Sequence, residues 1–226
     1  MIKILNVYKT YETDIAVEAL KNINLEINEK GLVAIIGRSG SGKSTLLNIL
    51  GALDNVSSGK ILYDDVDISE LNEKELLEFR NKKIGYIFQA FYLEPSLSVM
   101  TNISLPLIIN GVNKKEREII AKKYLKELGL EGKDNQKASE LSGGEKQRVC
   151  ICRALINNPD IILADEPTGN LDYENGQNVM KILKEISLNK VVILVTHNLE
   201  DAKKYADRII TIFDGTIIED IKNENQ

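Results

Sequence analysis

The chain has 226 residues, 43% of them hydrophobic and 28% charged, and a net charge of −5. That length supports one substantial core, with room for a smaller lobe, without disulfide staples, and the acidic balance removes the general electrostatic reason to seek a nucleic-acid backbone. No signal peptide and no apolar run of about 18 residues is found, so any membrane role has to come through a partner, and nucleic acid is not an expected one.

From the N-terminus, residues 2–8 and 23–27 alternate apolar and polar positions as half-exposed antiparallel strands do, and residues 60–63 read as a third member of that layer. Residues 32–36 form an unbroken apolar run, and apolar runs of strand length return at 84–88, 161–164, 191–195 and 209–213; most lack polar alternation, the pattern of parallel strands buried on both faces. Helical periodicity fills the intervals at 43–50, 114–128, 144–156 and 175–186. Strands separated by helices imply an α/β fold with a mainly parallel central sheet and a small N-terminal antiparallel β subdomain. Residues 72–139 are mostly helical in pattern apart from the strand ending at Phe88, with Pro95 and Pro106 as punctuation, and read as an inserted α-helical subdomain. Cys150 and Cys152 lie on one helical pattern with side chains about 200° apart, so they read as small packing residues, and their scarcity suits a reducing cytosol. Residues 223–226 are expected to fray.

Gly37, Arg38, Ser39, Gly40, Ser41, Gly42, Lys43 and Ser44 match the pattern G-x-x-x-x-G-K-[ST], delivered by an apolar strand and continued through Thr45 as a helix. Glycines let successive N–H groups face the β- and γ-phosphates, and the helix N-terminus adds partial positive charge. Lys43 then neutralises terminal phosphate oxygens and the Ser44 hydroxyl can ligate Mg²⁺. A glycine-rich turn before a core helix is the plainer alternative, and the strand and helix on either side argue against it.

The apolar strand at 161–164 ends in Asp165 and Glu166. Adjacent carboxylates at a strand's exit repel unless something cationic or catalytic occupies the site. Asp165 reads as the Mg²⁺-side ligand and Glu166 as the group that polarises an attacking water; two surface acids capping the next loop is the bland reading. His197, the sole histidine, follows the strand at 191–195 at the carboxyl edge where open α/β sheets bind ligands. A lone histidine is by itself a surface or capping residue, and only its place beside the other motifs gives it a role. Asn198 and Asp201 resemble a capping box opening the next helix.

Leu141, Ser142, Gly143, Gly144 and Glu145, followed by Lys146, Gln147 and Arg148, put a serine and glycines at a helix start, a second anion site about a hundred residues after the first. One nucleotide does not readily need two such cradles from one chain. In these motifs the chain resembles the ATPases of ABC transporters, whose signature is LSGGQ or LSGGE, and the resemblance runs over about residues 1 to 220. It implies a P-loop NTPase in a single domain, with about 1–88 and 150–226 as core and β subdomain and about 89–149 as the helical subdomain. It also implies ATP and Mg²⁺ as cofactors. Tyr11 matches the aromatic residue that stacks on adenine, and Gln89 the glutamine that touches Mg²⁺ and the attacking water and reports to a membrane subunit. Gly169, Asn170, Leu171 and Asp172 match the loop that bridges two sites, and His197 the switch histidine.

The catalytic set implied is Glu166, His197, Gln89 and Lys43. The nucleotide is implied to touch Tyr11, Gly37, Ser39, Gly40, Ser41, Gly42, Lys43, Ser44, Thr45, Gln89, Asp165 and His197 and, from a second copy, Ser142, Gly143 and Gly144. The metal is implied to rest on Ser44, Gln89 and Asp165. The implied partners are a second copy in an ATP-dependent head-to-tail homodimer and an integral membrane permease, with the chain peripheral on the cytoplasmic face of the cell membrane. Residues 46–54, 88–93 and 102–107 resemble the subgroup of macrolide exporters, lipoprotein-release ATPases, antimicrobial-peptide-resistance transporters and the cell-division ATPase. Arg38, Glu145, Cys150 and Cys152 depart from the commoner proline, glutamine and alanines without removing a catalytic group. Two other readings stand beside export: a signalling module acting through a membrane partner, and a soluble ABC ATPase of DNA maintenance. Against the latter, no sustained heptad run or cysteine cluster is found.

Overall fold

The alternating N-terminal run forms β1 (Ile2–Tyr11), which buries Ile2, Ile4 and Val7. It pairs antiparallel with β2 (Val17–Ile27) and with β4 (Ser58–Tyr63), and β5 (Val66–Asp67) completes the layer in the order β2-β1-β4-β5. The computed structural model describes residues 1–12 and 16–223, arranged as two compact units, residues 1–80 with 183–226 and residues 81–182.

In the first unit, β3 (Gly31–Ile36) lies between β8 (Val191–Thr196) and β9 (Arg208–Phe213) and runs parallel to both, with Ile36 level with Thr196 and Thr211. Leu32, Ala34 and Ile35 are fully buried, which is why the run is apolar without alternation. The helices α1 (Lys43–Leu50) and α7 (Leu199–Tyr205) follow β3 and β8 directly. β10 (Thr216–Lys222) pairs antiparallel with β9 and was not expected from sequence. Its residues 219–222 are exposed, so no buried face marks it.

In the second unit, β6 (Ile84–Ile87) and β7 (Ile161–Asp165) pair in parallel. The helices α3 (Val99–Ile109), α4 (Lys114–Glu127) and α5 (Gly143–Leu155) enclose a core of Val99, Ile103, Leu107, Ala121, Leu125, Leu130, Leu141, Val149, Cys152 and Ile156. Both cysteines are buried and free, as packing residues are. Pro106 sits inside α3 instead of ending it. The stop is Gly111, at φ 72, with the Val112 amide bonded back to Leu107. Two further helices, α2 (Glu73–Lys83) and α6 (Tyr173–Ser187), complete the elements used below.

Among the described residues no helix is long and apolar enough to cross a membrane. Of the tail expected to fray, 224–226 lie outside the described residues. Asn223 is tied down: its side-chain amide donates to the Lys203 carbonyl at 2.7 Å and to the Ala206 carbonyl at 2.8 Å.

Candidate functional site

The first unit carries the loop at 37–44. β3 ends at Ile36, the chain turns through Gly37 at φ 156, and Gly42 caps α1 at φ 102 with no side-chain hydrogen bond to the first turn. A β-carbon on Gly42 would sit 2.4 Å from the Ala19 carbonyl oxygen and one on Gly37 2.2 Å from that of Ile212, so the loop closes only with glycine at both places. Arg38, Ser39 and Gly40 are exposed, whereas Lys43 is 6% exposed with its ammonium 2.8 Å from the Arg38 carbonyl oxygen. The Ser41 hydroxyl is buried without a partner. A glycine-shaped cradle over a helix start, holding a sequestered ammonium and an orphaned hydroxyl, suits a polyphosphate.

Tyr11 lies near this loop: its hydroxyl donates to Asp54 at 2.7 Å and also reaches the Thr45 side chain, while the Lys9 ammonium stands 4.8 Å from its ring centroid. Burial and then the Asp54 carboxylate push the Tyr11 hydroxyl pKa up. Lys9 and Asp54 are 2.5 Å apart, so the aromatic edge is fixed by an ion pair. Since Ile36 and Thr196 are level, Gly37 and His197 leave neighbouring parallel strands together, and His197 is exposed. Of the box expected at Asn198 and Asp201 only the cap is made: the Asp201 backbone amide donates to the Asn198 side chain at 3.1 Å, but the Asn198 backbone amide donates to the Thr196 hydroxyl at 3.0 Å, and Asp201 accepts instead from the Asn198 side-chain amide at 2.8 Å.

The second unit carries the remaining groups. Asp165 ends β7 half-buried, and Glu166 follows at φ 44, a left-handed backbone that a side chain rarely adopts. Strain of this kind at a strand exit is a mark of functional positions. Burial, and next the Asp165 charge, raise the Tyr86 pKa. Gln89 is exposed; its backbone oxygen accepts from Asn170 at 2.9 Å and its amide would lie 2.7 Å from a β-carbon on Gly169. The loop at 169–172 and Gln89 are thus packed together.

Ser142 caps α5: its hydroxyl accepts from the Glu145 amide at 3.4 Å, and Glu145 accepts from the Ser142 amide at 2.9 Å. Ser142 and Gly143 are exposed and Gly144 is buried against Asn175. Among the described residues no group of three or more His, Cys, Asp and Glu gathers to hold a metal.

Sequence reasoning missed Asp54, Asn175 and Lys133, which respectively hold Tyr11, wall off Gly144 and pair with Glu145. Asn175 had a local sign, the spacing Asp172-x-x-Asn175 of a helix start, and the Asn175 amide does donate to Asp172 at 2.9 Å. Asp54 and Lys133 reach their partners only through tertiary folding.

A family model described as ABC transporter matches residues 20–169. The macrolide export ATP-binding/permease protein MacB of Campylobacter fetus is 49% identical over 230 residues, covering 100% of this chain and 35% of that protein, so the chain spans about a third of the relative's length. An uncharacterized ABC transporter ATP-binding protein of Methanocaldococcus jannaschii, MJ0796, is 45% identical, covering 96% of this chain and 95% of the relative. The dimeric structure of a post-hydrolysis state of the cassette MJ0796 bound to ADP and Pi superposes with TM-score 0.90 at 42% identity, covering 100% of both chains.

Proposed function

The chain belongs to the ABC transporter family, and from that premise we propose that it is an ATP-binding and hydrolysing subunit, pairing head to tail with a second copy on ATP. It has the P-loop fold of that family's ATP-binding cassettes. In this reading it rests on the cytoplasmic face of a membrane and drives a permease partner in export or in transmitting force. Residues 89–149 then form the helical subdomain, and 1–88 with 150–226 the core and β subdomain.

One observation supports the pairing above others: a single chain presents two phosphate-type helix starts, the loop at 37–44 and Ser142 to Gly144, and one nucleotide bound to one chain has no use for the second. ATP with Mg²⁺, when bound, supplies the phosphoryl group and the cation that spreads its charge. Lys43 and the amides of the loop bind the triphosphate, and Tyr11 orients the base. Ser44, Gln89 and Asp165 would hold the metal through their side-chain oxygens. Glu166 orients a water and accepts its proton, and His197 donates to the oxygens on which charge develops. Ser142, Gly143 and Gly144 of the second copy close the site.

The test is Glu166→Gln in the purified chain with ATP and Mg²⁺. Binding is expected to persist, turnover to fall by about two to four orders of magnitude, and a dimer to accumulate in light scattering. Hydrolysis at the parent rate would remove Glu166 from this role, and a chain that stays monomeric with ATP bound would remove the pairing.

A further inference from the structure

Lys133 carries an ammonium paired with the Glu145 carboxylate. Glu145 occupies the third position of α5, where its carboxylate accepts from the Ser142 amide at 2.9 Å and the Ser142 hydroxyl at 3.0 Å. The carboxylate therefore lies one hydrogen bond behind the groups that an anion at this helix start would meet. A helix N-terminus presents about half a positive charge, less than the full negative charge of the carboxylate. With side chains 34% and 20% exposed, the ion pair is partly shielded from water, so an unneutralised Glu145 would repel a phosphate approaching Ser142 and Gly143.

Lys133 is not on a loose loop. Its amide donates to the Leu130 carbonyl at 3.2 Å, its own carbonyl accepts from the Gln136 amide at 3.0 Å, and Leu130 is fully buried in the helical core. Lys133, followed by the Ser142 amide, holds the Glu145 carboxyl at about 2, far below the usual range. At working pH the group is ionised, so its neutralisation comes from a cation and not from a proton.

We propose that Lys133 is a positioning residue for ATP-dependent pairing: it cancels the Glu145 charge within the capping box, so that Ser142, Gly143 and Gly144 can receive the terminal phosphate of a nucleotide held by a second copy of the chain. The assignment rests on the two-subunit reading above.

The experiment uses the full chain carrying E166Q, titrated with ATP and Mg²⁺ while pairing is followed by light scattering. Nucleotide affinity of the unpaired chain is read in parallel, at low protein concentration, with a fluorescent ATP analogue. Adding K133Q is expected to raise the ATP needed for half-maximal pairing about tenfold, because a like charge is left facing the phosphate. Affinity in the unpaired chain is expected to move by less than about twofold. K133R should restore pairing. In a background that also carries E145Q, whose amide can still close the capping box, K133Q should cost less than about twofold.

Pairing of the K133Q chain at the parent's ATP concentration overturns the proposal. So does a loss equally large in the E145Q background, or one matched by lost affinity in the unpaired chain, since either makes Lys133 a support of the fold alone. If the E166Q parent itself never pairs, the two-subunit reading falls and this assignment falls with it, an outcome visible before any change at 133.

Discussion

Lys43 is the residue at which burial and function pull in opposite directions. A lysine 6% exposed whose ammonium rests on one backbone carbonyl is poorly satisfied, and the arrangement makes sense when phosphate oxygens supply the missing partners. Lys43→Ala should therefore lower nucleotide affinity, by about tenfold or more, with little loss of folded stability. Equilibrium titration beside a urea melt separates the two, and unchanged affinity contradicts the assignment. Gly144 is constrained by sterics instead. A β-carbon there would lie 2.1 Å from the Asn175 side-chain oxygen, and Asn175 cannot easily retreat because Asp172 holds it at 2.9 and 2.7 Å. Gly144→Ala should cost about 1–3 kcal/mol in a urea melt, and Asn175→Ala on top should return part of it. A double variant no more stable than the single one would show that the clash lies elsewhere.

α5 joins two of the candidate groups across its own length. Its first turn presents Ser142 and Gly143. Further along, Arg153 donates to the carbonyls of Tyr92 at 2.6 Å and Phe91 at 2.9 Å, and the Cys150 thiol to that of Phe91 at 3.1 Å. The segment just after Gln89 is thereby tied to the helix that starts at Ser142. Arg153→Leu should speed amide hydrogen exchange at residues 90–94 and lower ATPase turnover more than ATP affinity, and Arg153→Lys should restore little because an ammonium lacks the planar fork. Equal exchange in variant and parent would show that the tie bears no load.

What was legible at this scale follows from burial. The strands β3, β7 and β8 are apolar over most of their length because they are buried there, β9 buries Ile209, Ile210 and Ile212, and α1, α4, α5 and α6 keep a helical period, so each could be read locally. β10, mostly exposed, carries no such pattern, and α2, with no buried residue, was legible only as part of the mostly helical stretch 72–139. The glycine loop at 37–44, the acid pair at 165–166 and the Ser142 helix start were legible because each is a run of adjacent residues. The Glu166 backbone, the Tyr11–Asp54 bond and the Lys133–Glu145 pair were not, since each is made by tertiary structure.

For the whole molecule, two sets among the shifted groups, lowered carboxyls and raised thiols and phenols, bound its stability in pH. The Lys133 ammonium and the Ser142 amide lower Glu145, and backbone and side-chain bonds from Asn175 lower Asp172. Asp54 is lowered despite its burial, by Lys9 and then Tyr11. A depressed carboxyl contributes stability that is complete above its unfolded value, near 4 to 4.5, and is lost as pH falls toward the folded value, about 2 for Glu145. Burial works in the other direction on the weak acids: it raises Cys150 to about 11 and raises Cys152, Tyr63 and Tyr86 as well. The folded state holds those protons more tightly than the unfolded chain, so stability is complete below the unfolded thiol value, about 9, and declines as pH rises through the interval above it. The urea midpoint is thus expected to be flat between about pH 5 and 8.5, to fall on the acid side, and to fall again above about pH 9. E145Q should shallow the acid limb alone and Cys150→Ala the alkaline limb alone, because each removes one set's contribution and leaves the other in place. A midpoint that climbs below pH 5, or limbs that do not respond separately to the two substitutions, would mean that these groups do not set the dependence.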